Sequence, residues 1–148
     1  MNRPIAFYPL CLIHLFLAIG ALYGGGSLIL SPDGSMIGMP PGSLNGSPFP
    51  NFLIPGIILF LFNGVFPLFI LIGLIGKSKW PWANAANLYA DRHWAWAYSL
   101  YSGIIVIIWI MVQLLYVQPF ILQPIFIGVG LAILILTLTP GMMKYYET

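Results

Sequence analysis

Four long apolar runs, each free of Asp, Glu, Lys and Arg, fill most of this chain. They cover about 5–27, 52–75, 94–117 and 120–139. A helix that crosses the hydrocarbon core of a bilayer needs about 20 mostly apolar residues, and each run meets or exceeds that. A core helix of a water-soluble protein would carry a polar stripe at helical period, and none of the four does. Charged residues make up only 5% of the chain, against about a quarter in soluble domains. The expectation is an all-α integral membrane four-helix bundle, formed by residues 1–148 as a single domain.

The first run also has to be weighed as a signal peptide, because Arg3 makes a basic start and Ala18 and Gly20 are small. Its apolar stretch is longer than a usual signal core and contains His14, which predicts a retained helix. Orientation follows from the basic residues. Arg3 precedes the first run, Lys77, Lys79 and Arg92 lie between the second and third, and Lys144 follows the fourth; the other two connections have none. All five therefore agree on cytoplasmic N- and C-termini.

The first outer connection, from Ser31 to Asn51, is rich in Gly and Pro, including Pro32, Gly34, Gly38, Pro40, Pro41, Gly42, Gly46 and Pro48. Pro32-Asp33-Gly34 is a turn signal: proline presets φ, the Asp side chain bonds nearby backbone, and glycine accepts positive φ. The segment also carries Met36, Ile37, Met39, Leu44 and Phe49. These predict a structured loop folded back over the helix ends. On the cytoplasmic side, Trp80, Trp82, Tyr89, Trp94 and Trp96 form the aromatic belt of a headgroup boundary. Asn84 to Leu88 reads as a short interfacial helix there, and Asp91 or Asn87 as the cap of the third helix.

Polar side chains inside the apolar runs are the default functional candidates of a membrane protein. His14 and Asn63 lie at similar depth, about 14 and 18 Å from the cytoplasmic helix ends at 1.5 Å per residue. They are expected to share one interior face and to bond across it. Gln113 and Gln123, with Gln118 and Tyr116, gather at the outer end of the last two helices. Haem ligation is disfavoured, since His93 sits about 14 Å along the helix rise from His14 and one chain does not easily bring both to one iron; His14 from two copies could, but nothing in the sequence requires it.

No metal set, no nucleophile–base pair and no paired carboxylates emerge, so no catalytic residue and no cofactor is assigned. The lone Cys11 excludes dithiol–disulfide exchange within the chain. A net charge of +2, dispersed, gives no nucleic-acid surface. Small residues are plentiful: Gly20 and Gly24 form GxxxG, with Ala21 and Gly25 in the adjacent register. Ser99 with Gly103, and Gly128 with Ala132, repeat the spacing, which permits close helix approach within the chain or to a partner.

Longer patterns carry a resemblance. They are Gly24-Gly25 leading into Leu28-Ile29, Pro32-x-Gly34, Gly38-Met39-Pro40, and Ser47-Pro48-Phe49-x-x-Phe52-x-Ile54-Pro55-Gly56. To these add His93-Trp94-Ala95-Trp96, Trp109-Ile110-x-x-Gln113 and Gln123-Pro124. Over nearly its whole length the chain resembles a group of small, uncharacterised four-span bacterial membrane proteins, and in size and span count it is loosely similar to DoxX-like four-helix proteins. The resemblance implies a fold and a bacterial inner-membrane location, and no activity.

The leading expectation is therefore a non-enzymatic accessory or scaffolding subunit in the lipid bilayer, docking a protein partner or a second copy through small-residue helix faces. The first alternative is a binder or transporter of a small apolar ligand or lipid, built on His14, Asn63, Gln113 and Gln123. A cavity reaching His14 or Asn63 would favour it. The second is a membrane enzyme working at the outer surface through Asp33 or Gln113.

Overall fold

The structure is a computed structural model that describes residues 2–40 and 42–148; the loop proline Pro41 lies outside them. About 70% of the protein is helical and the described residues contain no strand. Three helices are long and apolar enough to cross a membrane: α1 (Phe7–Leu30), α2 (Leu53–Gly76) and α3 (Trp94–Tyr116). The fourth apolar run forms α4 (Leu122–Thr137), of 16 residues, and a short α5 (Pro140–Tyr145) follows.

Proline sets two of the helix ends. Thr139 precedes Pro140 and adopts extended backbone, φ −61° and ψ 144°, because proline's ring disfavours the helical region for the residue before it. This stops α4 short of residue 139. The same rule ends α1 at Ser31, before Pro32, so the helix runs through Gly24-Gly25-Gly26 to Leu30, three residues past the expected limit of 27. Inside α2, Pro67 has no N–H to give to the carbonyl four residues earlier. The helix widens into a single π turn over Leu61–Val65, with Asn63 at its centre.

Backbone contact between helices is made at glycines. A Cβ on Gly25 would lie 2.7 Å from Phe60 N and 2.8 Å from Gly56 O, so α1 and α2 touch main chain to main chain. The register used is that of the buried Ala21 and Gly25. Likewise α3 meets α4 where a Cβ on Gly103 would lie 3.0 Å from Gly130 O. Phe16 stacks on Phe126 between α1 and α4, with centroids 5.6 Å apart. Gly73 of α2 takes the ring of Trp94 from α3, and Phe69 stacks on the same indole at 4.8 Å. Gly128 meets nothing within 4 Å.

The two ends of the molecule differ. At one, Arg3 Nη2 donates to Ile75 O at 3.2 Å and Lys77 Nζ to Tyr145 O at 2.9 Å. The chain's last residues pair antiparallel with the segment before α3: His93 N donates to Tyr146 O at 2.7 Å and Thr148 N to Asp91 O at 2.9 Å. The helix expected over Asn84–Leu88 forms earlier, as a 3₁₀ segment over Pro81–Ala86 that Pro81 initiates. At the opposite end the α1–α2 connection closes on itself, with Phe52 N donating to Pro32 O at 2.8 Å. There Asp33 Oδ1 accepts from Ser35 N at 2.9 Å, which holds the exposed carboxyl below its ordinary range, and Gly34 takes φ 82°.

Candidate functional site

His14 and Asn63 are both fully buried, yet they are not bonded to each other. His14 Nε2 lies 2.8 Å from Ser99 Oγ, which lies 2.8 Å from Thr137 Oγ1. Trp96 Nε1 donates to Thr137 O at 2.8 Å. This polar thread ties α1 to α3 and α4 and accounts for one nitrogen of His14, leaving Nδ1 without a partner. His14 therefore acts here as an interhelical fastener.

Gln113 and Gln123 do come together. Gln123 Oε1 accepts from Phe120 N at 3.1 Å, and its Nε2 donates to Gln113 Oε1 at 3.4 Å. The pair secures the α3–α4 hairpin and satisfies a backbone donor near Pro119 and Pro124. Beside it lies a groove of about 340 Å³ lined by Leu114, Pro119, Phe120, Gln123 and Ile127. Gln123 faces that groove with both ends of its amide already bonded.

Asn63 is different. Neither Nδ2 nor Oδ1 of its carboxamide has a hydrogen-bond partner. The residue lines a crevice of about 170 Å³ between α2 and α3, with Ile58 and Phe62 on one wall and Ile105, Ile108 and Trp109 on the other. Trp109 Nε1, also buried, is unpartnered as well. The mouth faces outward from the protein, since Phe62 and Ile108 are each about half exposed. Unpaired buried amide groups cost free energy comparable to a lost hydrogen bond. Here Asn63 and Trp109 bear that cost on facing helices, and Asn63 does so on a π turn, a helix distortion frequent at functional sites.

His93 caps α3, a role the sequence reading gave to Asp91 or Asn87. Its Nδ1 accepts from Ala95 N at 3.1 Å, so the proton sits on Nε2, which donates to Ser78 O at 2.8 Å. Both ring nitrogens are engaged, which leaves none for a metal. Asp91 instead pairs with Arg92 at 2.8 Å, and Asn87 bonds Tyr89 N and Arg92 O. No group of three or more His, Cys, Asp or Glu side chains converges among the described residues.

Sequence reasoning did not reach Ser99, Thr137 or Trp109 as partners of the polar sites. The available signal was depth: Ser99 lies five residues and His14 seven from the same end of their helices. The chain matches no protein-family model, no curated protein and no solved structure.

Proposed function

We propose that the protein is an integral membrane binder of a small lipophilic molecule, taken laterally from the bilayer into the crevice at Asn63. The observation that carries this is an apolar crevice that opens between α2 and α3, with the buried, unpartnered carboxamide of Asn63 behind its wall. A crevice of about 170 Å³ is comparable to a cavity of about 150 Å³ that accepts benzene. The reading includes a four-span bundle in which α4, though short, crosses beside α3, with a folded Gly/Pro loop at the outer end. The gathering of Arg3, Lys77 and Arg92 at one end supports cytoplasmic N- and C-termini. A bacterial inner membrane and kinship with the small four-span group belong to the same proposal.

The test is native mass spectrometry of the protein released from its own lipid. A retained small molecule is expected in the wild type, and Ile105→Phe, which fills the crevice, should release it. Equal retention by both proteins, or none by the wild type, would sink the reading.

A second reading, the accessory or scaffolding subunit, is favoured by one observation. Gly128 is exposed with nothing within 4 Å, and Ala132 one turn away is only partly covered, so this small-residue face is unused within the chain. A retained protein in the same spectrum, lost on Gly128→Leu, would support it.

A further inference from the structure

The chain contains the dipeptide Asn-Gly twice, as Asn45-Gly46 in the α1–α2 connection and as Asn63-Gly64 inside α2. An asparagine followed by glycine is the one most open to attack by its own main chain. With no Cβ on the next residue, the main-chain nitrogen there reaches the asparagine Cγ without steric hindrance. The fold treats the two copies differently. Asn45 and Gly46 are both exposed. They are the central residues of a β-turn that Ser47 N closes by donating to Leu44 O at 2.9 Å, with Gly46 at φ 87°. Among the described residues no carbonyl takes the Gly46 N–H, and a Cβ on Gly46 would meet nothing within 4 Å. The attacking nitrogen is therefore open to water.

Asn63 and Gly64 are held shut. Both are buried within the π turn over Leu61–Val65, where main-chain N–H groups belong to the helix ladder. A Cβ on Gly64 would meet Leu22 Cδ2 at 2.9 Å, so α1 closes the space behind the dipeptide. Ring closure also turns the asparagine ψ away from its helical value, which would break the turn that α1 packs against.

We propose that Asn45, and not Asn63, is a self-modification site that consumes water and releases ammonia. Gly46 N attacks Asn45 Cγ, and the new C–N bond closes a succinimide ring as the Cγ–Nδ2 bond breaks. The proton lost from Gly46 N passes to water, and the departing nitrogen takes one up and leaves as ammonia. Water then adds to one of the two imide carbonyls. Addition at Cγ restores the main chain with an aspartyl residue at position 45. Addition at the main-chain carbonyl carbon leaves an isoaspartyl residue, with the backbone routed through the former side chain. Nothing is oxidised or reduced. Either product is an anion in a connection, Ser31 to Asn51, whose other ionisable side chain is Asp33 alone. The isoaspartyl form also adds a methylene to the main chain at a turn where Asn45 N donates to Gly42 O at 3.0 Å. The site is independent of the crevice between α2 and α3.

The experiment incubates the full-length protein in lipid nanodiscs, at mildly alkaline pH, in heavy-oxygen water. Digestion in ordinary water and peptide mapping by mass spectrometry follow, so that only conversions during the incubation carry label. Label should accumulate at position 45 with time, in aspartyl and isoaspartyl forms that electron-transfer fragmentation tells apart, while position 63 keeps its amide. In the chain unfolded by denaturant both positions should take up label at similar rates, because only the fold separates them. Gly46→Ala hinders the attacking nitrogen, and Asn45→Gln withdraws the amide by one methylene; each should lose the label at position 45. An unlabelled position 45 in the folded protein would overturn the proposal. So would equal labelling of positions 45 and 63 there, or label undiminished by Gly46→Ala, which would mean that Gly46 N is not the nucleophile.

Discussion

His14 Nε2 sits 2.8 Å from Ser99 Oγ, and the pair joins the first apolar helix to the third deep inside the protein. Ser99 in turn holds Thr137 of α4 at 2.8 Å. Replacing Ser99 by Ala removes both bonds and leaves the imidazole with no partner on either nitrogen. Ser99→Ala should therefore destabilise the fold by about 1–3 kcal/mol. Ser102 is equally buried, but its hydroxyl bonds nothing, so Ser102→Ala should change stability by less than about 0.5 kcal/mol. Unfolding in mixed micelles measures both. A Ser99 effect no larger than that of Ser102 would show that the thread is incidental to stability.

Glycine positions separate in the same way. At Gly25 a Cβ would press on Phe60 N and Gly56 O, both main-chain atoms that cannot move aside. Gly25→Ala should cost about 1–3 kcal/mol through overpacking. Gly128 faces open space, so Gly128→Ala should leave the isolated protein as stable or raise it by up to about 1 kcal/mol through helix propensity. Thermal unfolding of the two variants side by side decides. Similar losses at both sites would contradict the packing described.

Three long apolar helices were legible in the sequence because the hydrocarbon of a membrane tolerates almost no charge, so long runs without Asp, Glu, Lys or Arg stand out without any partner to read. The burial of His14 and Asn63 was legible for the same reason. Their partners were not. Helix rotation decides which neighbour a side chain meets, and the π turn at Leu61–Val65 rotates everything after it by an amount no residue pattern announces. Ser99 looked like a small residue for packing and proved to be a hydrogen-bond partner. The length of α4 was overestimated by hydropathy alone, which is blind to the extended conformation Pro140 imposes on Thr139.

His93 couples the start of α3 to pH. Burial holds its pKa below the ordinary 6.5, opposed by its bond to Ser78, while the charge of Lys77 lowers it further. The unfolded chain therefore takes up a proton on falling through about pH 6.5 where the folded protein resists. The contribution of neutral His93 is fully present above that pH, and it declines as pH falls towards the folded pKa. Protonation of Nδ1 would also forfeit the cap on Ala95 N. His93→Asn keeps a capping acceptor without a titrating group. The stability advantage of the wild type over this variant should shrink on acidification, as read from denaturant titrations at a series of pH values. A gap that stays constant or widens would refute the assignment.

Tyr146 gives the chain's last segment a structural task. A helix leaves its final carbonyls without intrahelical donors, and at the end of α2 they are taken from elsewhere in the chain. Gly73 O still accepts from Lys77 N, the helix's own cap residue, whereas Leu74 O accepts from the Tyr146 hydroxyl and Ile75 O from Arg3. Tyr146 is fully buried, and burial pushes its pKa well up, so the hydroxyl stays a donor across the working range. Tyr146→Phe keeps the ring and strands Leu74 O, for an expected loss of about 1–3 kcal/mol. Tyr145 offers its ring face to Lys77 Nζ at 4.0 Å, and phenylalanine retains that face, so Tyr145→Phe should cost less than about 0.5 kcal/mol. The two variants also differ in a readout that general destabilisation does not mimic. The amides of His93 and Thr148 donate to Tyr146 O and Asp91 O in the paired segment. If the Tyr146 hydroxyl anchors that pairing, Tyr146→Phe should speed hydrogen exchange at those two amides selectively, ahead of any change in the middle of α3. Uniform acceleration along the chain would mean that the hydroxyl adds stability without holding the segment in place.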